Sequence, residues 1–292
     1  MRKPICIVTG KNGQLSRCLA DAAERESNIT LICLDRSVFD ITNEAHIKTI
    51  FEKYQPDFLI NTAAYTSVDK AETEMEQAFA SNTEAPGKLA YYAYQNNCRF
   101  IHISTDYVFD GLSSTPYSTK STPRPINYYG FSKWQGELLA IENNPQSIVI
   151  RTSWVYSEYG NNFVKTMIRL MQEKKELNIV HDQIGSPTYA GDLANAIIKI
   201  VKELVNKSQP IHIKGILHYT NSGQTNWHAF ASAIKEYFHY DCILHPIPTS
   251  LYPTPAKRPL FSLLNTELIE AVFELDIPFW QDSLRVCLEK LK

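Results

Sequence analysis

Short apolar runs bounded by turn residues alternate with longer stretches of helical spacing through the first half of the chain, and the first run ends in a glycine-bearing turn that opens a helix. Together these two observations predict an α/β fold, a doubly wound parallel sheet of the Rossmann type. Length is the third: 292 residues exceed what the repeating half uses, and the regularity falls away after Arg151. A smaller, discontinuous C-terminal α/β lobe for substrate is therefore expected.

The expected strands are Ile5–Thr9, Thr30–Leu34, Phe58–Thr62, Phe100–Ile103 and Ser147–Arg151. They are near-continuous apolar runs rather than alternating ones, which means a sheet covered on both faces. Helices are expected between them at Leu15–Glu26, Glu44–Tyr54, Met75–Asn96 and Tyr129–Glu142. Further on, Phe163–Lys175 is amphipathic, and Gly191–Glu203 places Leu193, Ala196, Ile197, Ile200 and Val201 at helical spacing. The proline-dense stretch His245–Pro259 reads as an ordered loop leading to a last helix at Asn265–Val272. The expected division is a dinucleotide-binding domain of residues 1–152 plus about 189–221, and a substrate lobe of about 153–188 and 222–292.

The chemistry gathers at the ends of the first four strands. Thr9-Gly10-Lys11-Asn12-Gly13-Gln14-Leu15-Ser16 follows the first strand, and its glycines let backbone N–H groups approach a pyrophosphate at a helix N-terminus. Ser16 stands where a third glycine is expected. Asp35 closes the second strand, where a carboxylate accepts hydrogen bonds from the adenosine ribose. That favours NADH, whereas Arg36 beside it favours a 2′-phosphate and so NADPH. Asp40, with Ile41 and Thr42, is placed to contact the adenine or to cap the next helix. Ala63 and Ala64 after the third strand allow a cofactor to pass close to the backbone, and the fourth strand delivers Ser104-Thr105-Asp106-Tyr107 at the same edge.

Tyr129 and Lys133 are four residues apart and share a helix face. A ketone taking up hydride develops charge on oxygen and needs a proton donor with hydrogen-bond donors in place. Tyr129 is the candidate acid, Thr105 the holder of the oxygen, and Lys133 the cation that lowers the phenol's pKa and donates to the nicotinamide ribose. Tyr128 is a competing phenol, but a helix turns it away from Lys133. Trp154 reads equally as core and as a ring that stacks on substrate.

Composition excludes several classes. The formal net charge is −2 and no run of like charges suggests a nucleic-acid arm. Six dispersed cysteines without a Cys-x-x-Cys pair read as reduced thiols, and the eight histidines show no metal spacing. The N-terminal apolar run is too short for a signal peptide, and none approaches the roughly 18 apolar residues of a membrane span. A cytoplasmic protein without a metal is the expectation.

Seven motifs taken jointly resemble one family. They are Gly10-x-x-Gly13-Gln14-Leu15, Asn61-x-Ala63-Ala64-x-Thr66-x-Val68-Asp69-x-Ala71-Glu72, Ser104-Thr105-Asp106-Tyr107-Val108-Phe109-x-Gly111, Tyr129-Gly130-x-Ser132-Lys133-x-x-Gly136-Glu137, Arg151-Thr152-Ser153-Trp154-Val155-Tyr156, Gly160-Asn161-Asn162-Phe163 and Asp182-Gln183-x-Gly185-x-Pro187-Thr188, with Arg258-Pro259-x-x-Ser262 near the end. The chain resembles the dTDP-4-dehydrorhamnose reductases of the extended short-chain dehydrogenase/reductase group. The resemblance implies reduction of the C4 ketone of dTDP-4-dehydro-L-rhamnose by NADPH or NADH. It implies Thr105, Tyr129 and Lys133 as catalytic trio and Thr105, Asp106, Trp154, Val68 and Tyr107 as substrate contacts. Its cofactor positions fall on Gly10, Gly13, Gln14, Leu15, Asp35, Asp40, Ile41, Ala63, Ala64 and Thr66, with Tyr129 and Lys133 reaching the nicotinamide end. Ser16 is the departure, one that bears on cofactor affinity rather than on reaction type. Some relatives hold magnesium between subunits through glutamates; no acid stands beside Gln14, so no metal is carried over. The partner implied is a nucleotide sugar, with a homodimer one assembly open to the chain.

Two rival readings are weighed against this. Dehydratases on the same scaffold resemble Ser-Thr-Asp-Glu where this chain has Tyr107, which cannot supply the carboxylate for elimination. A non-catalytic regulatory subunit of the type that binds methionine adenosyltransferase shares many motifs, but here Thr105, Tyr129 and Lys133 are all present.

Overall fold

The computed structural model describes residues 2–205 and 214–292, so 206–213 of the expected 189–221 segment lie outside the described residues. Its strands in chain order are β1 Ile5–Thr9, β2 Thr30–Leu34, β3 Phe58–Asn61, β4 Arg99–Thr105, β5 Ile148–Thr152, β6 Val155–Tyr156, β7 Glu176–Val180, β8 Ile184–Gly185, β9 Thr188–Tyr189, β10 Gly215–His218, β11 Thr225–Asn226 and β12 Ile243–Ile247. Its helices are α1 Gln14–Glu24, α2 Glu44–Tyr54, α3 Val68–Ala71, α4 Met75–Phe79, α5 Ala85–Gln95, α6 Tyr128–Asn143, α7 Phe163–Glu173, α8 Ala190–Val205, α9 Trp227–Phe238, α10 Glu267–Phe273 and α11 Trp280–Glu289.

Six parallel strands form the central sheet in the order β10-β5-β4-β3-β1-β2. The chain reverses direction between β1 and β3, and such a switch point opens a crevice at the strands' carboxyl ends. Successive residues of β1 face opposite sides: Cys6 and Val8 join Leu15, Leu19, Leu193 and Ile197 of α1 and α8, whereas Ile7 joins Ile47, Phe51, Leu89 and Ala140 of α2, α5 and α6. The doubly wound sheet is thus as the apolar runs predict. Its sixth strand, β10, was not expected, because Gly215-Ile216-Leu217-His218 is too short and too mixed to stand out; it pairs with β5, Ile216 opposite Val149.

Met75–Asn96 is not one helix. It runs as α4, a π-helical turn Ala80–Glu84, then α5. Pro86 at the start of α5 has no N–H to donate, and the wide turn aims Asn82 and Thr83 inward. Asn82 donates to the Tyr65 carbonyl and to Ser132 Oγ, and Thr83 Oγ1 donates to the Ser132 carbonyl at 2.7 Å. Gly136 of α6 lies against the Asn82 carbonyl, where any Cβ would overlap it.

Around the second core, Val164, Met167 and Met171 of α7, Leu177 and Ile179 of β7, Phe230 and Ile234 of α9, and Trp280 and Leu284 of α11 pack together. The proline-dense stretch starts as a strand, not a loop: β12 runs parallel to β7 in a two-stranded sheet. Pro246 is tolerated there because each strand is an edge. Among the described residues no helix is long and apolar enough to cross a membrane.

Ser16, the departure in the glycine turn, is fully buried between α1 and β2; the Cys33 thiol beside it donates to the Ser16 carbonyl, and among the described residues the Ser16 hydroxyl meets no hydrogen-bond partner of good geometry. A buried orphan hydroxyl costs more than a methyl of the same size. Ser16→Ala should therefore keep or raise stability, by up to about 1 kcal/mol; a fall in melting temperature would mean that the hydroxyl is bonded.

Candidate active site

At the switch point lies a cleft of about 660 Å³, lined by the ends of β1 to β5. Gly10, with φ +73°, turns the chain after β1, and Gly13 N donates to the Gly10 carbonyl at 2.8 Å. A Cβ at Gly13 would stand 3.1 Å from that carbonyl. No side chain caps the N-terminus of α1, which leaves its first N–H groups for an anion. This open cradle fits the diphosphate of a dinucleotide. Gln14 lines the cleft while its Oε1 accepts from Ser157 Oγ at 3.1 Å and Asn162 Nδ2 at 2.9 Å, tying α1 to the loop before α7; Leu15 lies beside it.

Asp35 is half-buried at the cleft, its Oδ1 accepting from the backbone and hydroxyl of Ser37, bonds that hold its carboxyl below the ordinary range. Arg36 lines the cleft too. Asp40 and Ile41 do not. Asp40 Oδ1 accepts from Thr42 N and Oγ1, its Oδ2 takes Arg36 Nε at 3.0 Å, and the Ile41 side chain lies in the core under α2. Ala63, Ala64, Thr66 and Val68 all line the cleft.

Asn127 caps α6, accepting from Gly130 N at 2.7 Å, and so starts the helix at Tyr128. Gly130 sits against the Tyr107 carbonyl, with no room for a side chain. Tyr129 thereby points into the cleft, while Tyr128 does not line it; its N–H goes to Glu72 and its ring tilts against Phe131. Burial pushes the Tyr129 phenol up to about 12, opposed by the Thr105 hydroxyl beside it. Tyr107 packs edge-on to Tyr129, centroids 5.6 Å apart. Thr105 Oγ1 donates to Asp106 Oδ1 at 3.1 Å and accepts from Tyr107 N. Burial raises Asp106 to about 6 against bonds from Ser262 and Thr105.

Lys133 corrects one expectation. Its Nζ donates to the Ile103 carbonyl at 2.7 Å and lies 3.3 Å from His102 Nε2, and burial draws it down to about 8 against the pull of Glu137. The phenol's proton affinity follows from burial, Thr105 and Asp106, so it stands above its ordinary value and not below it. Beneath the site, Glu137 receives both Arg151 Nε at 2.9 Å and Arg151 Nη2 at 2.6 Å, together with the Ser104 hydroxyl, all out of water.

Trp154 has φ +48° and stacks on Trp227, centroids 3.7 Å and planes 12° apart, with the cleft on its other side. Trp227 Nε1 donates to Gln183 Oε1 at 3.0 Å. Beyond this pair a second cavity of about 810 Å³, lined among others by Phe163, Trp227, Tyr252 and Arg258, meets the cleft at Tyr107. Arg258 is held by Asp69 in two bonds of 3.0 and 2.8 Å. Trp227 and Tyr252 carry no motif chemistry in the linear chain, their only signal being aromatic character in the second lobe, whereas Arg258 belongs to the Arg258-Pro259-x-x-Ser262 motif, which gives it no role at the site. Among the described residues no cluster could hold a metal.

A family model described as the RmlD substrate binding domain matches residues 4–292. The chain is similar to a dTDP-4-dehydrorhamnose reductase of Sinorhizobium fredii, 40% identical, with 95% of this chain and 94% of that protein covered. A crystal structure of the dTDP-4-dehydrorhamnose reductase of Bacillus anthracis in complex with NADP superposes with a TM-score of 0.92 at 34% identity, over 99% of this chain and 100% of that one. The Thermus thermophilus UDP-glucose 4-epimerase complex with NAD, at TM-score 0.81 and 16% identity over 98% of each chain, shares the fold.

Proposed function

Because the chain belongs to the dTDP-4-dehydrorhamnose reductase family, we propose that Tyr129, Thr105 and Lys133 are the groups that carry its reaction. The protein is an NAD(P)H-dependent oxidoreductase of dTDP-rhamnose synthesis, and it reduces the C4 ketone of dTDP-4-dehydro-L-rhamnose to dTDP-L-rhamnose. One observation carries the residue assignment: the half-buried Tyr129 phenol faces the cleft next to the Thr105 hydroxyl.

The nicotinamide, when bound, supplies hydride to C4. Charge then gathers on the ketone oxygen, and the alkoxide formed is a stronger base than an ordinary phenolate. The Tyr129 phenol, which burial keeps protonated, gives that oxygen its proton. Thr105 Oγ1 turns its hydrogen from Asp106 to the same oxygen. Asp106 and Trp154, with Val68 and Tyr107, frame the sugar; the Trp154–Trp227 stack divides it from the second cavity, which is roomy enough for the nucleotide. Tyr107 offers no carboxylate, so elimination at C5 has no base.

Gly10, Gly13, Gln14 and Leu15 would hold the cofactor's diphosphate, Asp35 and Arg36 the adenosine ribose, and Ala63, Ala64 and Thr66 the chain between. Asp40 and Ile41 are left to the loop that shapes the adenine end. Arg36, next to Asp35, is a cation that can swing onto a 2′-phosphate, and Lys11 lines the same end of the cleft. Arg36→Ala should raise the KM for NADPH about tenfold, the loss of one charge-assisted bond, and leave NADH within about twofold; equal effects on both cofactors would remove this role. The division into residues 1–152 with about 189–221, and about 153–188 with 222–292, is supported by the separate core of α7, β7, α9 and α11, while Ile269 and Phe273 of α10 pack instead with α1 and α8 of the first part. A homodimer is supported by Tyr91 and Tyr94 of α5 and Leu138 of α6, all outward-facing.

Purified protein is expected to oxidise NADPH or NADH when given the dTDP-linked 4-ketosugar and not without it. No oxidation with dTDP- or GDP-linked 4-ketosugars and either cofactor would return the regulatory-subunit reading.

A further inference from the structure

A buried chain of side chains runs from the glycine turn to Lys133, and its hydrogen-bond grammar has one solution. Thr9 Oγ1 accepts from Thr62 N at 3.1 Å and Ala63 N at 3.0 Å, so its single proton goes to Asn61 Oδ1 at 2.7 Å. That orients the amide, and Asn61 Nδ2 is the atom facing His102 Nδ1 at 3.0 Å. An amide NH₂ only donates, so His102 Nδ1 must be the bare nitrogen. Burial and the neighbouring Lys133 keep the ring neutral. Its one proton is therefore on Nε2, which points at Lys133 Nζ from 3.3 Å.

We propose that His102, locked by Thr9 and Asn61 as the Nε2–H tautomer, is a positioning residue that donates to Lys133 Nζ and so favours the amine of Lys133 over its ammonium. An ammonium has no lone pair to receive that donor, whereas an amine has one and still keeps its bond to the Ile103 carbonyl. The opposing influence is Glu137, one turn along α6, whose carboxylate is already engaged by Arg151 of β5 and Ser104 of β4. Tyr129 on α6 and Asp106 beyond β4 line the cleft with Lys133; β3 offers the uncharged Asn61. The device links the strand end that opens the glycine turn to the ionisation of the lysine across the cleft. It rests on the reading of Tyr129 and Lys133 as the reductive pair.

The tautomer is read by ring-nitrogen NMR of the full chain carrying isotope-labelled histidine, with His102 assigned by the signal missing from His102→Gln. The proton is expected on Nε2 with no titration through the neutral range; a proton on Nδ1 overturns the proposal. In the pH profile of kcat/KM for the ketosugar, activity falls at high pH as Lys133 loses its proton. His102→Phe should move that alkaline limb up by about one pH unit, because no N–H then faces Nζ. His102→Gln can accept from Asn61 and donate to Lys133, and should hold the limb at its wild-type place. Should the phenylalanine variant not fold, Asn61→Asp serves instead: its carboxylate draws the ring proton to Nδ1, makes Nε2 an acceptor, and moves the limb up. An unmoved limb in a folded variant, or a glutamine that behaves as phenylalanine does, overturns the proposal. Wild-type turnover by Tyr129→Phe would instead sink the reading of the acid, while the NMR still decides the tautomer.

Discussion

Tyr129→Phe is expected to lower kcat by about 10²- to 10⁴-fold, the usual worth of a positioned general acid. That is roughly 3–5 kcal/mol of barrier, far more than any other single hydroxyl in the cleft should carry. The ring itself stays packed edge-on to Tyr107, and Lys133 stays on the Ile103 carbonyl, so cofactor affinity should change by less than about threefold. The split matters: a loss of kcat with cofactor binding retained points to the proton, and a parallel loss of both would point to a damaged cleft. Tyr128→Phe is the internal control. Its ring is turned to Phe131, and the variant should behave as wild type.

Glu137→Gln should cost about 3–5 kcal/mol of stability, because it strands the Arg151 guanidinium in a site without water. Both side chains are at most 3% exposed, and Arg151 already has an Nη1 without a hydrogen bond, so among the described residues only the Phe109 ring, 5.1 Å from the guanidinium, is left to face the charge. Against a typical stability of roughly 5–15 kcal/mol that loss is severe, and a fall in melting temperature of about 10 °C is expected. Glu137→Gln combined with Arg151→Met should recover most of it, since removing both charges abolishes the stranded one. A single variant that melts within about 2 °C of wild type would show that the pair is dispensable.

Much of the fold was legible because it obeys local rules. The first four strands and their carboxyl ends announce themselves as apolar runs leading to small or polar residues, and the glycine turn, Thr105, Tyr129 and Lys133 converge on one cleft as their spacing implies. What was not legible depends on partners distant in sequence. β10 is a strand only because β5 lies beside it, and the π turn at Asn82 exists because Pro86 cannot donate while Gly136 presses close. Trp227 reaches the site through Trp154, a contact that no periodicity encodes, and the Asp69–Arg258 pair joins two motifs 189 residues apart whose meeting no local rule shows. The pKa relation between Tyr129 and Lys133 was misjudged for the same reason: spacing placed the two groups together, but burial and the Ile103 carbonyl decide their proton affinities. Asp40 and Ile41 were placed by proximity to Asp35, whereas the loop turns them into its own hydrogen bonds and into the core.

The central claim is that this cleft delivers a hydride to a sugar ketone while Tyr129 delivers the proton. It is tested most directly in single turnover, with NADPH carrying deuterium at the transferred position and the dTDP-linked 4-ketosugar as acceptor. The account predicts one deuterium at C4 of the sugar for each NADPH oxidised, at a rate that collapses in Tyr129→Phe with cofactor still saturating. Deuterium absent from C4, or transfer by Tyr129→Phe at the wild-type rate, would contradict it.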